Sequence, residues 1–189
     1  LGIGHYLSIS SIIFYLHLNQ IIVIDYISIF YILILLLTVF LLNMFNQLFL
    51  GDSGSYLLGF SFSVFLISIY NWNPMMSPFF IILLLWYPCY EILFSILRKN
   101  IINRSPMSPD ANHLHQLIFF FIKKKYRLSI ILANLITAQV INIYNLCTFL
   151  IGIKFIMKSE IQVTLIIFSV LIYTFIYFKL FTFKYKKRI

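Results

Sequence analysis

Long apolar runs constrain the fold of this 189-residue chain more than any other feature. A helix needs about 20 residues to cross the hydrocarbon core of a bilayer. Six runs between polar breaks approach or reach that length: 3–18, 21–42, 55–70, 78–97, 128–153 and 161–183. An open strand in lipid would leave its backbone polar groups unpaired, so each run should be a helix. We predict an all-α, polytopic membrane helix bundle of about six transmembrane helices, forming a single integral membrane domain over residues 1–189.

The composition agrees with this class. With 62% hydrophobic and 10% charged residues, the chain has too little polar surface to cover a soluble globule. Cys89 and Cys147 each lie inside an apolar run, which predicts small buried side chains rather than a redox pair. The chain begins at Leu1 and its first methionine is Met44. We therefore expect a fragment that lacks an N-terminal portion, and no signal peptide is visible.

Basic residues fall into two clusters, which predict the orientation of the spans. Of the 14 lysines and arginines, all but Lys154 and Lys158 lie within residues 98–127 or near the C-terminus. The positive-inside rule puts both clusters in the cytoplasm, and counting back by spans puts residues 51–55 there too. The connections predicted to lie outside are 19–25, 71–77 and 154–160. Topology and attraction to anionic lipid explain the net charge of +9, so no nucleic-acid partner is expected.

The first polar island is Gly51-Asp52-Ser53-Gly54-Ser55. It joins an inward span to an outward one, so a helix beginning near Ser53 would present its N-terminus, which attracts anions, to the cytoplasm. Two interpretations follow. Either Asp52 or Ser53 caps the helix while the glycines allow a tight turn, or Asp52, a lone carboxylate without a basic neighbour in sequence, binds a divalent cation that carries a diphosphate.

The second polar island covers residues 105–116. Its two prolines favour extended backbone and hold the loop open ahead of Asp110. Asp110 is a candidate cap for a helix over residues 116–121, which would place Asn112 and His113 near a helix N-terminus. Imidazoles there can hold phosphate oxygens. A His-x-His pair alone is more often incidental or a metal site, so the two islands together are more informative than either one.

Glu91 is the only carboxylate well inside a predicted span. Charges within a membrane are costly, so such a residue is a functional candidate. Arg98 follows two helical turns later and should share its helix face. The alternative is that Glu91 lies near the cytoplasmic boundary and pairs with a neighbouring helix, and the sequence does not decide between the two.

Three segments together resemble the polyprenyl-phosphate N-acetylhexosamine-1-phosphate transferases, glycosyltransferase family 4: residues 49–60, residues 88–91 with Arg98, and residues 105–116. The hexosamine branch is more similar than the muramoyl-pentapeptide branch because of residues 105–110. The family's upstream Asp-Asp-x-x-Asp motif and its Asn-rich Asp-Gly segment are absent. We therefore expect the C-terminal part of such an enzyme, inactive by itself.

The resemblance implies transfer of an N-acetylhexosamine 1-phosphate from a UDP-sugar to undecaprenyl phosphate, with release of UMP and a requirement for Mg²⁺ or Mn²⁺. The expected place is the cytoplasmic face of the inner (plasma) membrane, in the first step of lipid-linked surface polysaccharide synthesis. Asp52 corresponds to the family's metal ligand, while His113 and His115 correspond to its contacts with the nucleotide diphosphate; all three are candidate catalytic residues. Gln116 stands where the family has a third histidine.

The loop 98–127 is accordingly expected to be a cytoplasmic substrate-binding loop. Membrane lipid is a further expected partner, and a homodimer is compatible with the sequence. The residues assigned to substrate binding are Gly51, Ser53, Gly54, Ser55, Glu91, Arg104, Asp110, Asn112 and Gln116.

Two other classes of protein remain open on the sequence alone. A multispan transporter or flippase subunit would bind phosphorylated lipid without turnover, and more charges within the spans would mark it. A non-catalytic binding or assembly subunit is the third alternative. Paired aspartates upstream of Leu1 would favour the enzyme over both.

Overall fold

The computed structural model describes residues 2–45, 47–103, 105, 108 and 110–186. Within these ranges the chain forms helices and connections without a strand, as the sequence predicts. The helices are α1 (Gly2–Leu18), α2 (Tyr26–Met44), α3 (Gly51–Trp72), α4 (Pro78–Ile101), α5 (Leu114–Tyr126), α6 (Ile130–Lys154) and α7 (Ser159–Tyr185).

Five of these helices, α2, α3, α4, α6 and α7, are long and apolar enough to cross a membrane. They correspond to five of the six predicted spans. The sixth, α1, is helical as expected but has only 17 residues. The amphipathic helix α5 has 13 residues and ends in Lys123, Lys124 and Lys125, which is typical of a helix at the membrane surface. The prediction of a multi-pass membrane helix bundle is confirmed.

Serine and aspartate side chains fix the beginnings of several helices. Ser77 precedes Pro78 and accepts a hydrogen bond from the Phe79 N–H at 3.2 Å, and Ser129 accepts one from the Leu132 N–H at 3.3 Å. Such caps satisfy backbone donors that have no partner inside the helix. They explain why the spans begin where the apolar runs begin.

The three connections predicted to share one face meet at one end of the bundle. The Asn73 amide exchanges hydrogen bonds with the Val23 backbone, at 2.7 and 3.1 Å. The Ser77 N–H donates to the Ile156 carbonyl at 3.0 Å, and the Ser77 and Ser159 hydroxyls lie 2.9 Å apart. The helices therefore alternate in direction as the sequence predicts, which leaves both polar islands at the opposite end.

Two details differ from the sequence predictions. The position of Gly2 and Gly4 at the start of the first short run predicts the end of a glycine-containing loop, but both lie inside α1, where a Cβ on Gly4 would overlap the Asn142 amide of α6. Close approach of two helices explains this glycine better than a turn does. Cys89 and Cys147 are exposed rather than buried.

Helix α4 packs against α3, α6 and α7, and α5 lies against α6 and α7. The buried Gln162 side chain at the start of α7 donates to the Gly152 and Phe155 carbonyls at 2.8 and 2.9 Å. These bonds satisfy carbonyls at the end of α6 and fix the turn between the two helices. The C-terminal halves of α4 and α7 then meet α5 at the end of the bundle that carries the second island.

Candidate functional site

His113 is the N-cap residue of α5, with extended backbone at φ −67° and ψ 151°. Its N–H donates to the Gln116 side-chain oxygen at 3.1 Å, which closes the first turn of the helix. The prediction that Asp110 caps this helix is wrong, because α5 begins at Leu114 with His113 as its N-cap residue. The Asp110 carboxylate instead accepts from the Asn112 N–H at 3.1 Å and pairs with Arg98, so it orders the turn ahead of the helix.

Glu91 reaches from α4 to the first turn of α5. Its Oε1 lies 3.0 Å from His113 Nδ1 and accepts from the Leu114 N–H at 3.0 Å, while its Oε2 accepts from the Tyr173 hydroxyl of α7 at 2.8 Å. The intramembrane carboxylate therefore pairs with neighbouring helices, as one of the two interpretations expected. An ionised carboxylate only accepts, so His113 Nδ1 carries the hydrogen and Nε2 is left for a ligand.

Arg98 connects the end of α4 to the loop that precedes His113. Its guanidinium pairs with Asp110, donates to the Asn112 carbonyl at 2.6 Å and donates to the Tyr177 hydroxyl at 2.6 Å. The Arg98 and Asp110 side chains are only 15% and 11% exposed, so the pair is largely removed from solvent. Glu91 and Arg98 both contact the second island, in agreement with the prediction that they share a helix face.

Helix α7 also holds this loop, and the sequence interpretation missed it. Lys184 Nζ donates to the Ala111 carbonyl at 2.8 Å and to Asn112 Oδ1 at 2.7 Å, and the Tyr185 hydroxyl donates to the same Oδ1 at 2.9 Å. The contacting aromatic residues recur at intervals of four: Tyr173, Tyr177, Phe181 and Tyr185. That spacing puts them on one helix face, a signal present in the sequence.

The two histidines of the second island lie side by side. The His113 and His115 rings are nearly parallel, at 15°, with centroids 5.6 Å apart. Burial lowers the pKa of the His115 imidazole below its ordinary value, and the Glu91 carboxylate opposes this in part. His115 is therefore mostly neutral at pH 7 and can donate from one ring nitrogen.

The first island begins α3 without a side-chain cap. Gly51 has φ +65°, a left-handed conformation that favours glycine, and the N-cap residue Leu50 makes no side-chain cap bond. Asp52 is exposed in the first turn, and the Ser55 hydroxyl donates within its own helix to the Gly51 carbonyl at 2.8 Å. The interpretation of Asp52 or Ser53 as a helix cap is therefore wrong.

The described residues do not form a complete metal site. Mg²⁺ and Mn²⁺ prefer several oxygen ligands. Among the residues with described positions, no group of three His, Cys, Asp or Glu side chains is arranged to hold a metal ion. Asp52 offers one exposed carboxylate at a helix N-terminus, where any other ligands would have to come from elsewhere.

A cavity of about 720 Å³ lies between α2, α5 and α6 and borders the second island. His115 and Gln116 line it from the second island, and Phe49 lines it from the segment just before Gly51. Its other polar lining residues are Asn43, Asn134, Thr137 and Gln139. The predicted site residues thus form two groups, a cluster around His113 and a separate turn at 51–55. Arg104 lies outside the described residues.

The fold and this site define a multi-pass helical membrane protein with a carboxylate-supported histidine pair at one end of the bundle. In sequence, the chain is 34% identical over 92 residues to the probable undecaprenyl-phosphate N-acetylglucosaminyl 1-phosphate transferase of Bacillus subtilis. It is 36% identical over 69 residues to the undecaprenyl-phosphate alpha-N-acetylglucosaminyl 1-phosphate transferase of Thermotoga maritima. These relatives confirm the resemblance seen in the motifs.

The matches are partial on both sides. They cover 48% and 36% of this chain, and 25% and 22% of the two relatives, so the shared segment spans about a quarter of each relative. No family model matches the chain, and no solved structure matches it either.

Proposed function

We propose that the protein carrying this chain transfers an N-acetylhexosamine 1-phosphate from a UDP-sugar to undecaprenyl phosphate and releases UMP. The observation that carries the proposal is the pair His113 and His115 at the first turn of α5, in a chain similar to two transferases of this kind. The positive end of the helix dipole favours a diphosphate at such a turn.

The reaction requires little general acid or general base catalysis from the protein. A phosphate monoester has a second pKa of about 6, so the lipid phosphate is mostly dianionic near neutral pH and needs almost no general base. One of its oxygens forms a bond to the β-phosphorus of the UDP-sugar, and the bond between the β-phosphorus and the bridging oxygen breaks as UMP leaves. Repulsion between the two anions is the main barrier, which positioned donors lower.

In this scheme His113 donates through Nε2 when it is protonated, with Glu91 holding its other nitrogen. Neutral His115 adds one hydrogen-bond donor beside it. The Gln116 amide nitrogen is a third candidate donor, because its oxygen already accepts from His113 N–H. Mg²⁺ or Mn²⁺ would shield the phosphates when bound, with Asp52 as the ligand that this chain contributes.

The transfer is proposed to occur at the cytoplasmic face of the inner membrane. The lysine and arginine residues concentrate at the same end of the bundle as both polar islands. A UDP-sugar and the two islands must share one side for the reaction to occur.

Cysteine labelling of intact cells tests this orientation. In a background with Cys89→Ala and Cys147→Ala, an impermeant maleimide is expected to label Met75→Cys and Met157→Cys, which are exposed at 74% and 59%. Ser53→Cys and Lys125→Cys, exposed at the other end, should react only after the cells are opened. Labelling of position 53 from outside would overturn the proposed location, because the site would then face away from the UDP-sugar.

Alanine substitutions at the two histidines test the function itself. His113→Ala or His115→Ala should weaken UMP exchange by about 1–3 kcal/mol through loss of charge-assisted hydrogen bonds, without loss of protein from the membrane. Gln116→His should be tolerated, whereas Gln116→Leu should be harmful because it removes both the acceptor for His113 N–H and a donor for phosphate.

His17→Ala is the matched control. His17 lies in the last turn of α1, at the end of the bundle away from the second island. Full exchange activity in the double variant His113→Ala, His115→Ala would exclude this role for the pair. Binding of undecaprenyl phosphate by the wild-type protein without release of UMP would instead favour a transporter or flippase.

A further inference from the structure

We propose that Tyr173 is a positioning residue: acting through Glu91, its hydroxyl holds the His113 imidazole in one tautomer and one orientation at the N-cap of α5. The last helix of the chain then belongs to the candidate site, although none of its residues was predicted there. The kinetic part of this inference rests on the proposed function, and the geometric part does not.

The first step concerns the freedom of the Glu91 carboxylate. Rotation about the terminal bond of a glutamate has broad, roughly two-fold preferences, so the carboxylate does not fix its own plane. Oε1 already accepts from His113 Nδ1–H and from Leu114 N–H, at 3.0 Å each. The Tyr173 hydroxyl donates to Oε2 at 2.8 Å and so occupies the other oxygen. With both oxygens bound, the carboxylate cannot turn without losing a hydrogen bond.

The second step concerns the Tyr173 ring, which is held firmly enough to aim its hydroxyl. The side chain is 2% exposed. Its ring packs edge-on against Tyr90 and Phe94 of α4, with centroids 4.9 and 5.5 Å away, and lies parallel to Tyr177 at 6.3 Å. Phenylalanine would fill this space equally well, so packing alone does not explain the hydroxyl. Lipid tails offer no hydrogen-bond donor to the Glu91 carboxylate, whereas the Tyr173 hydroxyl does.

The third step concerns Tyr177, one helical turn further along α7. Its hydroxyl accepts from Arg98, which in turn holds Asp110 and the Asn112 carbonyl. Two hydroxyls on one face of α7 therefore meet two charged residues on one face of α4. The first pair fixes the His113 ring, and the second fixes the backbone that leads to it.

The experiment combines a spectroscopic readout with kinetics in the Tyr173→Phe variant. The protein is labelled with ¹⁵N-histidine and reconstituted in lipid nanodiscs, where the nitrogen shifts of His113 report its tautomer. We expect His113 Nδ1 to carry a hydrogen in the wild type, both in the neutral ring and in the imidazolium that donates through Nε2, and the neutral Nε2–H tautomer to appear only in Tyr173→Phe. The kcat/KM for the UDP-sugar should fall about tenfold, the size of one hydrogen bond to a charged group. The KM for the lipid acceptor should not change.

Two further variants make the test specific. Tyr144→Phe on α6 removes a hydroxyl outside the cluster and should alter neither the tautomer nor the kinetics. Glu91→Gln removes the charge through which Tyr173 acts, so the double variant Tyr173→Phe, Glu91→Gln should be no slower than Glu91→Gln alone. If Tyr173→Phe does not accumulate in membranes, O-methyltyrosine incorporated at position 173 removes the donated hydrogen while keeping the ring, and the tautomer measured in that protein answers the same question.

The outcomes separate this inference from the proposed function. A changed tautomer in Tyr173→Phe supports positioning even if the wild type transfers no sugar phosphate, a result that would reject only the proposed function. Transfer by the wild type together with unchanged tautomer and kinetics in Tyr173→Phe would overturn positioning alone. Additive losses in the double variant would also overturn it, because Tyr173 would then act independently of Glu91.

Discussion

Replacing Asp52 with asparagine is expected to lower transfer of sugar phosphate from UDP-N-acetylglucosamine to undecaprenyl phosphate by about 100-fold or more. Asparagine matches aspartate in size but lacks the charge that a divalent cation requires. Asp52 is exposed in the first turn of α3, whose N-cap residue Leu50 makes no side-chain cap bond. The carboxylate is therefore not explained by capping. The measurement is incorporation of radiolabelled sugar phosphate into lipid by membranes containing Asp52→Asn.

The matched control is Glu160→Gln. Glu160 is exposed and, like Asp52, is the second residue of its helix, but α7 begins at the opposite end of the bundle. Both substitutions remove a carboxylate near a helix N-terminus and should cost a similar, small amount of stability, about 0.3–1 kcal/mol. Only Asp52→Asn should lose transfer. Wild-type transfer in Asp52→Asn would show that this carboxylate serves the helix dipole and nothing more.

Replacing Arg98 with glutamine is expected to destabilise the protein by about 3–5 kcal/mol, because Asp110 would remain as a largely buried charge without its partner. Arg98 also donates to the Asn112 carbonyl and the Tyr177 hydroxyl, so the loop before His113 would keep the Lys99–Ser108 bond to α4 but lose those made by Arg98. Thermal unfolding in detergent measures the loss of stability. Limited proteolysis between residues 103 and 113 measures the release of the loop.

A second substitution distinguishes an unpaired charge from lost packing. Adding Asp110→Asn to Arg98→Gln removes the remaining carboxylate and should restore part of the stability. Lys154→Gln removes a cation at the opposite end of the bundle and serves as the control for charge alone. Equal stability of Arg98→Gln and the wild type would mean that the pair contributes little to the fold.

The spans could be predicted from the sequence because the length and apolar content of a run are local properties. Helix ends were harder to predict, and α5 shows the reason. Asp110 has the chemistry of a cap, but Arg98 from another helix binds it, and His113 becomes the N-cap residue instead. Tertiary contacts of this kind have no signature in the residues next to the helix end.

The site shows the same limit. The sequence identifies Glu91 as an unusual charge but leaves two interpretations open, because the Tyr173 hydroxyl and the Leu114 N–H that bind it are distant in sequence. The aromatic spacing of α7 was visible, yet the chain is 19% aromatic and such residues are abundant throughout. A periodic pattern stands out poorly against that background.

Helix α7 is longer than a membrane crossing requires. Its 27 residues extend about 40 Å at 1.5 Å per residue, whereas the hydrocarbon core is only about 30 Å thick. An upright α7 would therefore exceed the hydrocarbon core by nearly two helical turns. Lys184 and Tyr185 lie in the last turn of this helix, where they donate hydrogen bonds to Asn112 Oδ1. Gln162 therefore fixes the start of α7 to the end of α6, and the last turn of α7 fixes the loop that precedes His113.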